Sequence, residues 1–151
     1  MSEFIVSGLS DDLVIPMHCF LDALLLDSTI PNTVERLALN IRSQETDQRF
    51  QPIEIQLERT SSNSPWQLRF IATFDVVVTG TPKKELSLYF NFTGCWFYHP
   101  EIKQCSLQRP EVQVLLASWL KAVTRSLIAH SAISIDITPI RQSSLPSKRS
   151  L

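Results

Sequence analysis

The residues from Trp66 to Val78 alternate between two kinds of side chain with a regularity that strongly limits how this chain can fold. Successive side chains of a β-strand point to opposite faces, so a period of two assigns each set to one face of a sheet. One buried and one wetter face are typical of an antiparallel sheet. One set would form the core: Trp66, Leu68, Phe70, Ala72, Phe74, Val76 and Val78. The other set would lie on the wetter face: Gln67, Arg69, Ile71, Thr73, Asp75 and Val77.

The same alternation predicts strands on both sides of this run. They are expected at 53–57, 86–92, 95–98 and 133–137. Residues 33–42 fit a helix as well as a strand that starts at about Leu37, and we favour the strand. The sequence TSSNSP at 60–65 consists of turn-forming residues, so it is expected to join two of the strands as a hairpin.

Two segments have the apolar spacing of helices that lie against a sheet. The first, at 16–26, would place Pro16 in its first turn, where the missing N–H is harmless. The second begins at Pro110 and continues to about residue 127. Its apolar face comprises Val112, Leu115, Leu116, Trp119, Leu120, Val123 and Leu127. Burying these side chains would contribute roughly 10–20 kcal/mol before entropy is counted, so this helix must cover the sheet.

The order of these elements predicts an α+β protein. We expect a single twisted antiparallel sheet of about six or seven strands, with an N-terminal helix and a long C-terminal helix packed on its apolar face. Residues 1–138 would form one domain, which suits a chain of 151 residues. The polar sequence 139–151 contains two prolines and is expected to be a flexible tail.

The composition excludes several classes of function. With 14 Lys and Arg against 15 Asp and Glu, the formal net charge is −1, so no overall field attracts nucleic acid or anionic lipid. Only three glycines are present, and the sequence contains no glycine-rich phosphate loop or other familiar catalytic motif. Three widely spaced cysteines favour reduced thiols, and the apolar stretch at 13–26 follows acidic rather than basic residues. We therefore expect a cytoplasmic protein with no membrane contact and no cofactor.

Several blocks of the chain resemble, in the same order, a bacterial family catalogued only as domain of unknown function 2787. The blocks are LALNIR at 37–42, QPIEIQLER at 51–59, WQLRFIATFDVV at 66–77, ELSLYFNFTGCWFY at 85–98 and ISIDIT at 133–138. The resemblance implies a bacterial protein, often encoded on a mobile element or pathogenicity island. It also implies a fold similar to the mitochondrial acidic matrix protein that binds complement C1q, and a tendency to form oligomers. It supplies no catalytic residues.

Cys95, His99 and Cys105 are potential metal ligands that lie close together in the sequence. Their spacing offers three ligands and no paired CxxC, whereas a structural zinc site usually uses four, so we predict no metal. Cys95 and His99 would instead suit a nucleophile and its base, which makes a small Cys/His-dependent enzyme an alternative function. No helix begins after Cys95 to activate its thiol, so packing as a small apolar residue is the favoured interpretation.

The wetter face of the sheet is where we look for function. Its mixed polar and apolar side chains are typical of a subunit contact and also of a face exposed to solvent, and both interpretations stay open here. The predicted interaction face consists of Arg69, Ile71, Thr73, Asp75, Val77 and Tyr89. We expect a non-catalytic, oligomeric protein-binding module that forms a homo-oligomer and contacts an unidentified protein partner.

A second alternative is a protein associated with nucleic acid through its basic tail. Arg141, Lys148 and Arg149 would supply phosphate contacts in that case. Such tails are usually solvated, so nucleic acid is not the expected partner.

Overall fold

The computed structural model of the chain describes residues 4–44, 50–77, 80, 83–129 and 133–142. The strands are β1 (Phe4–Ile5), β2 (Val34–Ser43), β3 (Ile53–Glu58), β4 (Trp66–Val77), β5 (Lys83–Asn91), β6 (Trp96–His99), β7 (Lys103–Ser106) and β8 (Ile133–Gln142). The helices are α1 (Asp11–Leu25) and α2 (Pro110–Ala129). The α+β class is therefore confirmed, and the ambiguous segment at 33–42 is a strand.

The strands form one open sheet in the order β7-β6-β5-β4-β3-β2-β8. Neighbours along this order pair antiparallel, and β1 adds a parallel pairing to the start of β4. The sheet is larger than the predicted six or seven strands because β1 and β7 have no apolar alternation to reveal them. The sequence of β7, KQCS, has no large apolar residue.

Both helices cover the same face of the sheet. α2 buries Val112, Leu116, Leu120 and Val123 in the core, which confirms its predicted apolar face. α1 begins at Asp11, five residues before the predicted start. Ser10 precedes it and Asp11 and Asp12 occupy its first turn, where acidic side chains stabilise the helix N-terminus. Pro16 therefore lies inside the helix rather than in its first turn, which is a correction of the prediction.

α2 is the one helix of the described chain that is long and apolar enough to cross a membrane. Core helices of globular domains have the same length and mean hydropathy. Here the apolar stripe of α2 packs against the sheet, and Trp119 makes an edge-to-face contact with Phe20 of α1 at 6.0 Å.

A β-bulge divides the long strand β4. Between Leu68 and Phe70, β4 contains one residue more than its partner β3, and Arg69 is the extra residue. An extra residue reverses the alternation of side chains beyond it. Ile71 therefore points to the helix-covered face, opposite Ile55 of β3, whereas Phe70 points away from it. The prediction that Phe70 and Ala72 lie on the core face is wrong for this reason.

The side chain of Gln113 joins three segments near the start of α2. Its Oε1 accepts a hydrogen bond from Ser10 N at 2.8 Å, and its Nε2 donates to Gly8 O at 3.0 Å and to Leu107 O at 2.8 Å. Gly8 has a φ of +80°, and a Cβ there would lie 2.9 Å from Leu107 Cδ2. Only glycine adopts this conformation without strain at such close contact. The linker before α1 is thereby tied to α2.

The last strand extends beyond residue 138, the predicted end of the domain. Pro139 to Gln142 continue β8 along β2, because Arg141 lies opposite Arg36 and forms ion pairs with acidic residues of β2 and β3. The first four residues assigned to the flexible tail are therefore part of the sheet. Residues 143–151, which include Lys148 and Arg149, lie outside the described residues.

Candidate interaction surface

One face of the sheet carries no helix in the described part of the chain. Residues directly opposite each other on neighbouring strands share a face, so the pairings identify the side chains on this second face. We call it the open face. Its central residues are Ala38, Asn40, Glu54, Gln56, Phe70, Ala72, Tyr89, Asn91, Trp96 and Tyr98.

The bulge at Arg69 separates the predicted interaction residues. Arg69 lies on the open face, where its Nη1 donates to Gln56 Oε1 at 2.6 Å, and Tyr89 lies on the same face. Ile71 and Thr73 are fully buried on the helix-covered face, so the prediction is wrong for both of them. The alternation that assigned them to the wetter face reverses at the bulge.

The remaining predicted residues lie at the far end of β4. Asp75 is exposed, and its carboxylate accepts a hydrogen bond from Gln51 just before β3. Val77 is the last residue of β4, and its side chain is outside what the structure describes. Asp75 therefore lies away from the centre of the open face.

Three aromatic side chains form a continuous row across β4, β5 and β6 on the open face. We call Phe70, Tyr89 and Trp96 the aromatic cluster. The ring centroids of Phe70 and Tyr89 are 5.1 Å apart, and those of Tyr89 and Trp96 are 4.9 Å apart. All three side chains are half-buried. Tyrosine and tryptophan are enriched in protein interfaces because they bury a large area with few rotatable bonds.

The turn after β5 holds the aromatic cluster in place. Asn91 Nδ2 donates to the Tyr89 hydroxyl at 3.3 Å, and Asn91 Oδ1 accepts from Gly94 N at 2.7 Å. A Cβ on Gly94 would lie 2.8 Å from Cδ1 and Nε1 of Trp96. The turn therefore requires a residue without a side chain where the indole packs against it. These contacts arrange the cluster before any partner arrives.

Ion pairs dominate the other half of the open face, around Glu58 of β3. Arg36 donates to Glu58 Oε1 from Nε at 3.1 Å and also from Nη2, and Arg141 Nη2 reaches the same oxygen at 3.2 Å. Arg141 Nε lies 3.6 Å from Glu35 Oε1. The hydrogen bond from Arg36 and the positive charges of Arg36, Arg69 and Arg141 lower the pKa of Glu58, against a smaller opposing effect of burial. We call Glu35, Arg36, Glu58 and Arg141 the ion-pair network.

Arg59 fixes the strand ends beside this network. Its guanidinium donates to Val34 O at 3.0 Å and to Pro31 O at 3.1 Å, and it lies 4.1 Å from the centre of the Trp66 ring. Burial lowers the pKa of Arg59, but a guanidinium still remains charged at any physiological pH. These contacts tie the start of β2 to the hairpin that follows β3.

Replacing Glu58 with Gln is expected to lower the free energy of unfolding by about 1 kcal/mol at pH 7, because partly exposed ion pairs are screened by solvent. The pKa of Glu58 lies below the unfolded value of 4.5 in the folded protein. Its contribution is therefore complete above pH 4.5 and disappears as the pH falls through the lower folded pKa. Urea titrations at several pH values measure this difference between the wild type and the variant.

The matched control for this variant is Glu101→Gln, which removes an exposed carboxylate in the turn between β6 and β7. We expect the control to keep the wild-type stability. If Glu58→Gln differs from the wild type by the same amount at pH 7 and at pH 3, the ion-pair network does not hold the carboxylate in its charged form.

Cys95 directly precedes β6, and His99 ends it. Cys95 lies in the turn before the strand with a φ of 59°, and His99 is the last residue of the strand. An extended strand advances about 3.3 Å per residue, so the two Cα atoms are roughly 10–13 Å apart. His99 Nδ1 accepts a hydrogen bond from Glu101 N at 3.1 Å. The strand therefore does not bring a nucleophile and a base together.

Cys105 also fails to complete a metal site with these two residues. It lies on β7 opposite Phe97 and packs against the core. The described part of the chain contains no group of three or more His, Cys, Asp or Glu side chains able to hold a metal ion.

Sequence reasoning missed Phe70 and Trp96 as open-face residues. Phe70 shares the parity of the core residues before the bulge, so the alternation assigned it to the core. One residue in the sequence did indicate that the faces of β4 reverse. Ile71 is a large apolar residue between Arg69 and Thr73 on the face predicted to be wetter. Trp96 could be placed only once the pairing of β6 with β5 was known, where it lies opposite Asn91.

A family model described as "Protein of unknown function (DUF2787)" matches residues 16–137. No curated protein matches the chain. Two solved structures of Vibrio cholerae proteins have the same fold.

A conserved hypothetical protein from pathogenicity island VPI-2 aligns with a TM-score of 0.67 and 21% identity over 88% of this chain and 99% of that chain. Its structure is described as sharing structural homology with the human P32 protein. A hypothetical protein from the VSP-II pathogenicity island aligns with a TM-score of 0.67 and 23% identity over 91% of this chain and 100% of that chain. Both neighbours carry the same arrangement of sheet and helices, which confirms the resemblance inferred from the sequence blocks.

Proposed function

Because the chain belongs to the DUF2787 family of proteins of unknown function, we propose that it is a non-catalytic, oligomeric protein-binding module. Its open face would be the contact surface, and a second copy of the chain would be the first occupant. The aromatic cluster is the observation that carries this proposal. Its three large rings stay half-exposed on a sheet face that no helix covers in the described chain.

The two halves of the open face suit the two parts of a protein interface. Specific interfaces have an apolar, aromatic centre surrounded by a polar rim. Here the aromatic cluster would form the centre on β4, β5 and β6, and the ion-pair network would form the rim on β2, β3 and β8. The charges of the network already satisfy one another, so a partner would not have to leave a charged group unpaired.

Two small residues near the aromatic cluster add little accessible surface to the open face. Ala38 and Ala72 lie on this face, yet they are only 5% and 2% exposed, because larger neighbouring side chains cover them. A partner would therefore meet the half-exposed aromatic rings rather than these alanines.

The mass of the native protein in solution tests the proposal. We expect an oligomer at micromolar concentration, and we expect the double variant Tyr89→Ser, Trp96→Ser to weaken association by at least about tenfold, equivalent to about 1.4 kcal/mol. Sedimentation equilibrium over a range of concentrations measures the change. A protein partner captured from the native host should be lost with the same variant if it shares this surface.

Val114→Ser is the matched control, because Val114 is 66% exposed on the far side of α2 and shares no contact with the open face. It removes an apolar side chain without touching the aromatic cluster. A wild-type protein that stays monomeric at about 100 µM, above the range of most specific interfaces, would contradict the proposal. The proposal would also be contradicted if the double variant and the control weakened self-association by the same amount.

A further inference from the structure

A groove runs between α1 and α2 on the side of the helices that faces away from the sheet. Its volume is about 540 Å³, within the range of roughly 300–1,000 Å³ found for small-molecule sites. The walls are mostly apolar, and Leu13 and Phe20 of α1 face Ala117 and Leu120 of α2. This surface is separate from the open face and plays no part in the proposed function.

Short side chains explain why the groove stays open. The helices touch through Phe20 and Trp119, whose rings meet edge to face. Beyond this contact, Cys19 and Ala23 of α1 and Ala117 of α2 line the groove and are too small to fill the space between the helices. Larger side chains at these positions would interdigitate as they do in most helix pairs.

The groove wall offers little hydrogen-bonding capacity to a ligand. Thr124 lines it, but its hydroxyl donates to Leu120 O of its own helix at 2.7 Å. At the other end, the carboxylate of Asp12 accepts a hydrogen bond from the Ser10 hydroxyl at 2.7 Å. An alkyl chain therefore suits the wall better than a polar molecule, because it leaves no donor or acceptor unpaired.

Two cations stand at the rim of the groove. Lys121 and Arg125 are one helical turn apart on α2, and both side chains are exposed. Neither forms an ion pair with any residue in the described ranges, in contrast to the arginines of the open face. Their charges are available to an anionic group that reaches the rim.

We propose that this groove binds a long-chain carboxylate, with the alkyl chain along the apolar walls and the carboxylate between Lys121 and Arg125. The two cations form no ion pair within the described ranges, so they favour an occupant with an anionic end over a wholly apolar one. A slender chain with a charged end fits both the shape and the charge of the site.

Fluorescence titration with cis-parinaric acid, an 18-carbon carboxylate, tests this proposal on the full chain. We expect saturable binding that palmitate displaces and that hexadecanol, which has no charge, displaces at least about tenfold less well. The double variant Lys121→Glu, Arg125→Glu should weaken binding by at least about tenfold. The control Lys83→Glu, Lys103→Glu makes the same charge change at exposed strand positions and should leave binding unchanged.

A steric variant tests the groove independently of charge. Ala117→Trp places an indole between the helices, and it is expected to abolish binding of the probe. Ala23→Leu offers a smaller change if the first variant unfolds, which circular dichroism would show. Bound palmitate should also slow the reaction of Cys19 with a maleimide, since this thiol is exposed in the groove wall.

Several results would overturn the proposal. One is that cis-parinaric acid shows no saturable binding. Another is that both steric variants bind the probe with wild-type affinity. A third is that the charge variant and its control lose the same amount of binding affinity. Binding of the protein only to palmitate-containing vesicles, and not to the free acid, would show adsorption to a lipid surface instead.

Discussion

Ile71→Ala should lower the free energy of unfolding by about 2–5 kcal/mol, the cost of removing a large apolar side chain from a packed core. Ile71 is fully buried between Ile55 and Phe90 at the centre of the helix-covered face. The neighbouring strands and the rest of the core leave little freedom to close the resulting cavity. Urea denaturation followed by circular dichroism measures the loss, at protein concentrations low enough to dissociate an oligomer.

Phe70→Ala provides the sharpest comparison, because the two residues are adjacent in sequence and lie on opposite faces. Phe70 is half-buried and contacts mainly the Tyr89 ring, so its removal is expected to cost about 1–2 kcal/mol. A strand that alternated without a bulge would give the reverse order of the two variants. A larger loss for Phe70→Ala than for Ile71→Ala would therefore contradict the bulge at Arg69.

Gln113→Glu is expected to lower the free energy of unfolding by about 2–4 kcal/mol at neutral pH. The change replaces the Nε2 donor with a carboxylate oxygen that faces two carbonyl acceptors, Gly8 O and Leu107 O. Both carbonyls would lose their partner, and unpaired buried groups cost about 1–3 kcal/mol each. Thermal and urea denaturation measure the loss.

The pH dependence of the stability of Gln113→Glu shows whether the lost hydrogen-bond donor causes the destabilisation. Protonation of the introduced carboxyl restores one donor, so the folded state binds that proton more tightly than the unfolded state does. Relative to the wild type at the same pH, the variant should regain stability as the pH falls. Gln108→Glu is the control, since Gln108 is exposed in the turn before α2. An equal loss in both variants would show a general charge effect instead.

The sequence predicted the elements whose side chains alternate against a single core. The strands β3 and β5 and the apolar face of α2 follow from local pattern alone, because one face of each is buried. β1 and β7 could not be predicted in this way. β1 has two residues, and β7 is a short edge strand with a single side chain, Cys105, packed against the core.

The faces of β4 depend on information outside the strand. A bulge depends on how two strands pair. The sequence WQLRFIATFDVV alone does not show that two residues of β4 lie opposite one residue of β3. The sequence therefore placed Arg69 and Tyr89 on the face that they occupy, but it exchanged the two faces of β4 beyond Arg69. The aromatic cluster could be identified only from the pairing of β4, β5 and β6.

The position of β8 beside β2 sets the order in which the sheet is completed during protein synthesis. About 90 residues separate the end of β2 from the start of β8. At translation rates of about 5–20 residues per second, the edge of β2 waits roughly 5–20 s for its partner. During this time the backbone of an apolar strand that contains Leu39 and Ile41 is open to pairing with other chains. The nascent chain can therefore aggregate through the unpaired edge of β2 until β8 has left the ribosome.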